Sequence, residues 1–215
     1  MSLVNAGPTP PGVRPPVQAR SRKALQQVLA AAEEVLAADG FDEFTMTAVA
    51  ERAGVSVGAI YRRFDGKEQL LAAVKDRLLS QLENDLGERL RTAEPSLPGV
   101  VDAFAMAIAD GFAAGGQVWP DLLRSGGKSL EERGRQALES VRQLFEEASG
   151  RYRREIRRSD PAAALAAVER MITGALIHRA AMEPFSGDKT AVQTYARQLS
   201  DMAIAYLLTP DGRGR

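Results

Sequence analysis

The stretch Thr45-Met46-Thr47-Ala48-Val49-Ala50-Glu51-Arg52-Ala53-Gly54-Val55-Ser56-Val57-Gly58-Ala59-Ile60-Tyr61-Arg62-Arg63-Phe64 decides the fold. It reads as two short helices, one from about Thr47 to Ala53 and one ending near Phe64, around a break at Gly54-Val55-Ser56. Helices this short are not stable alone and must lean on neighbours. Gly54 permits the left-handed backbone of a tight turn. Val55 and Ile60 are spaced to point back and lock the pair, and Ser56 is a capping residue for the second helix. Gly58 and Ala59 carry almost no side chain, so this helix can lie close against base edges and the thymine methyl. Around it, Thr45, Thr47, Tyr61 and Lys67 are donors of the kind that bind phosphate, and Lys67 opens a helix whose N-terminal dipole attracts anions. A helix-turn-helix that enters the major groove needs this combination. A three-helix packing module with a solvated charged face fits the same pattern.

Working outward, Leu25, Val28, Leu29, Ala32, Val35 and Leu36 recur at three- and four-residue steps and predict a helix from Ser21, with Gly40 as its C-terminal cap. Residues 1–20, with Pro8, Pro10, Pro11, Pro15 and Pro16, read as a disordered tail. Downstream, Asp65-Gly66-Lys67-Glu68 resembles a helix start closed by an acid, and the long helix it opens carries Leu71, Val74, Leu78 and Leu82 on one face. Between Ser21 and Lys75 there are seven basic and eight acidic residues, so the segment is not basic overall. The acids gather on the first helix or just after it, whereas Arg62, Arg63 and Lys67 cluster at the second short helix. Arg20, Arg22 and Lys23 offer a second contact.

The whole chain sets bounds on the rest. With 215 residues and 45% hydrophobic content it can bury a real core. It has no cysteine, which excludes disulfides, thiolate nucleophiles and Cys-ligated metals and points to a cytoplasmic protein. The formal net charge is zero, so any attraction to nucleic acid must be local. No stretch is expected to reach the roughly 18–20 apolar residues of a membrane span. No period-two strands stand out, and helical patterns recur at about 98–114, 119–125, 129–157, 161–182 and 188–208, giving an all-α fold.

Val28-Leu29-Ala30-Ala31-Ala32, Gly40-Phe41, Thr45 to Ala50, Ala53 to Phe64 and Lys67-Glu68-Gln69-Leu70 resemble the DNA-binding domain of TetR-family regulators over about Arg22–Lys75. The resemblance implies phosphate contacts from Thr45, Tyr61 and Lys67 and base contacts from Ser56 to Ile60. It also implies a homodimer joined by a four-helix bundle of the last two long helices of each subunit. Two departures stand out: Val57 replaces a basic or polar residue, and Ala48 replaces an acid that often completes the second helix's cap. The expected organisation is a Pro-rich tail at 1–20, a helix-turn-helix domain at 21–66, a helical ligand-binding and dimerisation domain at 67–208, and a flexible tail at 209–215.

In the C-terminal part, Phe104, Ile108 and Phe112 keep a four-residue step, and the sole tryptophan, Trp119, follows Gly115-Gly116. With Leu144, Met171 and His178 they are the expected lining of a pocket for a small, mostly apolar effector. Each is also the kind of residue that simply fills a core. On the helix from Pro161, Leu165, Val168, Ile172 and Leu176 form one stripe, and Met171, Ala175, His178 and Met182 form a second. A helix apolar on two sides needs two partners. Together with Val192, Tyr195, Leu199, Met202 and Tyr206 of the last helix, this predicts a dimer interface through 161–182 and 188–208. No catalytic set, metal site or cofactor motif is expected. His178, the only histidine, has no nucleophile motif around it, adjacent acids such as Glu146-Glu147 point to different helix faces, and Gly126-Gly127-Lys128-Ser129 lacks the glycine and preceding strand of a phosphate-binding loop. The expected partners are operator DNA and the effector, with no membrane.

Overall fold

The computed structural model describes residues 17–124, 128–182 and 189–212. Those residues form nine α-helices and one 3-10 turn and contain no strand. Most of the tail expected at 1–20, the glycines of the Gly126-Gly127-Lys128-Ser129 segment and residues 213–215 lie outside the described residues.

The first helix, α1 (Val17–Glu43), begins four residues before the position expected from its apolar stripe. Its regular path breaks at the expected Gly40, where φ is 78° and ψ is −179°, a backbone conformation open mainly to glycine. Next come α2 (Met46–Ala53), α3 (Val57–Tyr61) and α4 (Lys67–Arg91). Val28, Leu29, Ala32, Val35 and Leu36 of α1 share one buried cluster with Met46, Val49, Ala50 and Ala53 of α2, Ile60 of α3, and Leu70, Leu71 and Val74 of α4. Burying each large aliphatic side chain contributes about 1.5–3 kcal/mol, which is what holds such short helices in place.

The remaining helices are α5 (Leu97–Gly115), α6 (Val118–Arg124), α7 (Lys128–Gly150), α8 (Pro161–Met182) and α9 (Lys189–Leu208). The pattern read at 129–157 therefore ends at Gly150, and a 3-10 turn at Arg153–Glu155 follows it. A second core gathers Leu79, Leu82, Leu86 and Leu90 of α4 with the buried faces of α5, α7, α8 and α9. Helix α5 corrects one expectation: by length and composition it could cross a membrane, with a mean hydropathy of 1.4. Its apolar surface on all sides is explained by its place inside the bundle, packed by α4, α7, α8 and α9.

Two helices belong to both cores. Helix α4 passes from one to the other, with Leu78 touching each. Helix α6 places Val118 and Leu122 in the first core and Trp119 in the second. After α9, Thr209 and Asp211 are tied back: Arg158 donates to the Thr209 carbonyl at 3.2 Å, and the Ser159 N–H donates to the Asp211 carboxylate at 2.6 Å.

Candidate nucleic-acid interface and effector cavity

At the start of α2, the Thr45 hydroxyl accepts the Ala48 N–H at 3.1 Å. Alanine at 48 has no side chain to return that bond. At its end, Gly54 adopts φ 65°, and the Val55 N–H reaches the Ala50 carbonyl at 3.0 Å, the wrapped-back geometry that terminates a helix at a left-handed glycine. Gln27 of α1 donates to the Ala53 carbonyl at 2.7 Å, a tie that apolar periodicity could not reveal. Helix α3 starts at Ser56, whose hydroxyl accepts the Ala59 N–H at 3.2 Å.

These caps aim the outward side chains. Thr45, Thr47, Ser56, Gly58, Tyr61 and Arg62 are exposed, Tyr61 at 54%. A Cβ built on Gly58 would meet no atom within 4 Å, so packing inside the protein does not demand glycine there. Val57 and Ala59 are half-buried. Val57 packs on the first core, and Ala59 lies in a shallow groove with Ser21, Ala24 and Val28 of α1. Gly58 and Tyr61, with Arg62 at the C-cap, are the exposed positions of α3. Arg63 leans on α1 and donates to the Ser21 hydroxyl at 3.0 Å.

Lys67 is half-buried rather than extended into solvent. Its ammonium donates to the Phe41 carbonyl at 2.7 Å and lies 4.1 Å from the centre of the Phe41 ring. The start of α4 also differs from the cap read at Asp65 and Glu68. Gly66 is the N-cap and offers no side-chain acceptor, while Gln69 closes the turn by accepting the Asp65 N–H at 2.7 Å. Lys67→Ala is expected to lower the unfolding free energy by about 1–2 kcal/mol, from one charge-assisted hydrogen bond and one cation–π contact. Urea unfolding measures this cost, independently of any effect on DNA.

An apolar cavity of about 190 Å³ lies beneath this module, between α4, α5, α6, α7 and α8. Of the residues expected to line a pocket, it is lined by Ile108, Phe112 and Trp119. Leu79, Leu82, Leu123, Ala137, Leu138, Val141 and Ile177 complete its apolar wall, and Lys75 and Thr173 are its polar members. Phe104 is absent from the lining because its ring faces Phe145, with centroids 4.4 Å apart. Leu144 packs on the core beside Gly87 of α4. Met171 and His178 are exposed on the outer side of α8. A four-residue step fixes a helix face but not what that face meets, which is why these four were misplaced. A larger, open groove of about 630 Å³ between α4, α5 and α9 is lined largely by polar residues and is crossed by the Arg89–Asp110 ion pair at 2.8 Å.

Burial pushes the Lys75 ammonium below its usual range. The charge of Glu131 pulls it back up and that of Arg133 adds to the fall. Arg133 itself is fully engaged, donating to Asp76 at 2.6 Å, to Glu83 at 2.9 Å and to Ser80 at 3.2 Å, and so ties α7 to α4. Neither role was signalled by sequence pattern. Both basic residues fall on helices where a charge is normally solvated.

The α2–α3 pair defines a helix-turn-helix protein. Residues 28–74 match the family described as bacterial regulatory proteins, tetR family. Over its length the chain is 28% identical to the HTH-type transcriptional regulator BetI of Cronobacter sakazakii, across 83% of this chain and 90% of that protein. In fold it is similar to the regulator FadR of Bacillus subtilis in complex with stearoyl-CoA, with a TM-score of 0.66 at 17% identity over 84% of this chain and 98% of that one. It is likewise similar to SmeT in its triclosan complex, with a TM-score of 0.64 at 21% identity over 90% and 98%. Residues 28–74 thus carry the helix-turn-helix domain of the TetR family, and the relatives matched over most of the chain are transcriptional regulators.

Proposed function

We propose that this regulator is a homodimeric repressor that binds a palindromic operator and is released by a small, mostly apolar effector. The observation that carries the reading is the course of α4: its first turns share a core with α3 through Leu70, Leu71 and Val74, and two to four turns from its start Lys75, Leu79 and Leu82 line the cavity. One rigid element therefore touches both sites. A ligand that shifts α4 at the cavity must move its other end, and a fixed operator spacing tolerates little movement of two recognition helices. Ligand and DNA then bind antagonistically, with a coupling of about 1–3 kcal/mol, and linkage makes the effect reciprocal. FadR was solved with stearoyl-CoA, whose acyl chain is apolar, and SmeT with triclosan, which supports an effector with a large apolar part here.

In this reading Thr45, Thr47, Tyr61, Arg62 and Lys67 contact phosphates, and Ser56, Val57, Gly58 and Ala59 approach the bases, with Gly58 nearest. The uncapped N–H groups at the start of α4 add an anion site. The dimer forms through the outward faces of α8 and α9, in the cytoplasm where the operator lies. Footprinting of an inverted repeat with purified protein tests the operator reading, and protection of a single unpaired half-site would contradict it. Arg62→Ala should weaken binding to all sequences alike and reduce the slope of log affinity against log salt by about one unit. An unchanged slope removes Arg62 from the phosphate contacts.

A further inference from the structure

Lys75 is only 6% exposed and stands in the wall of a cavity whose other side chains, among the described residues, are apolar except for Thr173. The hydroxyl of Thr173 already donates to Glu169 at 3.2 Å. The Lys75 ammonium reaches the Leu122 carbonyl at 3.5 Å, a long bond, and forms no ion pair among the described residues. Glu131 is exposed and acts on it only at longer range. Gly134 stands beside the ammonium, where a Cβ would lie in ordinary contact, 3.6 Å from Nζ. The nearby Arg133, with three partners, shows how this fold treats a basic group whose role is to hold helices together. Lys75 faces a hollow instead of a counter-charge.

We infer that the effector is a small amphipathic acid, an apolar body carrying one carboxylate that pairs with Lys75. The inference rests on the cavity being the effector site. A neutral apolar molecule entering the cavity would expel the water around the ammonium and leave it unpaired, which is costly. A carboxylate instead replaces that water with a charge-assisted hydrogen bond. A phosphate would bring a second charge that the apolar wall cannot match. Benzene fills an engineered cavity of about 150 Å³, so a space of about 190 Å³ suits a ligand of about ten heavy atoms.

Octanoate and 3-phenylpropanoate have that size, and their primary amides match them in shape without the charge. Each of the four is titrated into the full-length protein with the fluorescence of Trp119, the sole tryptophan, as the signal, and release of operator DNA is followed in parallel. Each acid should bind at least ten-fold more tightly than its amide. Lys75→Met should close that gap while keeping amide binding, and without ligand it should melt at a higher temperature than the wild type because a buried charge has been removed. Equal affinities for acid and amide in the wild type would overturn the inference, as would an acid preference that survives in Lys75→Met. If the amides release DNA as well as the acids do, the effector cavity stands and only the acid is discarded. If none of the four changes the fluorescence or the DNA binding, both readings fall.

Discussion

Gly174→Arg should convert the protein to a monomer and lower operator affinity by about 10²–10⁴-fold, the gain that linking two binding modules typically brings. Gly174 is exposed on α8, and a Cβ there would meet no atom within 4 Å, so the subunit itself can accept a larger residue. On the same outer surface stand Met171, His178 and Met182, the last of them 69% exposed. Helix α9 adds Met202, 53% exposed, and Tyr206. Large apolar side chains grouped in this way on a regulator read as a self-complementary interface rather than as scattered surface residues. An arginine placed among them would bury an unpaired charge on association. Sedimentation at micromolar concentration measures the oligomeric state, and circular dichroism confirms that the helices remain. A dimeric Gly174→Arg protein with wild-type operator affinity would move the interface elsewhere. Met202→Asp serves as the second variant. Leu199, expected from the sequence to stand with Met202, is unsuited to this test because it is 3% exposed inside its own subunit.

That difference between Leu199 and Met202 shows where sequence reading stops. Turn and cap chemistry was legible because it is local: Gly54 and Ser56 act on backbone within a few residues and cap α2 and α3, and Gly40 marks the break in α1. The two stripes of α8 were legible as well, since Leu165, Val168, Ile172 and Leu176 are buried while Met171, His178 and Met182 are exposed. On α9 the assignment failed because both faces are apolar, and only the position of α5 decides that Val192, Leu199 and Leu207 turn inward. The cavity was half legible for the same reason. Aromatic spacing on α5 identified Ile108 and Phe112, whereas Lys75 and Thr173 were hidden because a polar residue on a helix is ordinarily read as solvated.

Trp119 is where the two cores meet, and Trp119→Ala should therefore change both stability and coupling. Its indole is 0% exposed, packs edge-on against Phe112 at 4.9 Å between ring centroids, and donates its N–H to the Gly111 carbonyl at 3.3 Å. Truncation leaves a void where nothing can collapse easily, because Gly111 and Gly115 of α5 have no side chains to move into it. The cost should be about 3–5 kcal/mol, which for a chain of this size lowers the melting temperature by about 6–20 °C. The regulatory effect should be distinct from this loss. Val118 and Leu122, on either side of the tryptophan, stay in the core beneath α2 and α3, so the helix-turn-helix keeps its support and operator binding should persist at low temperature. What disappears is the contact through which a ligand in the cavity can push α6 and, through the Lys75 bond to the Leu122 carbonyl, α4. The variant should bind operator within a few-fold of wild type while losing most of the roughly 5–150-fold antagonism by effector that typical coupling supplies. Operator titrations with and without effector at 10 °C, followed by fluorescence anisotropy of labelled DNA, give both numbers. Full antagonism in a destabilised Trp119→Ala protein would show that coupling runs through α4 alone.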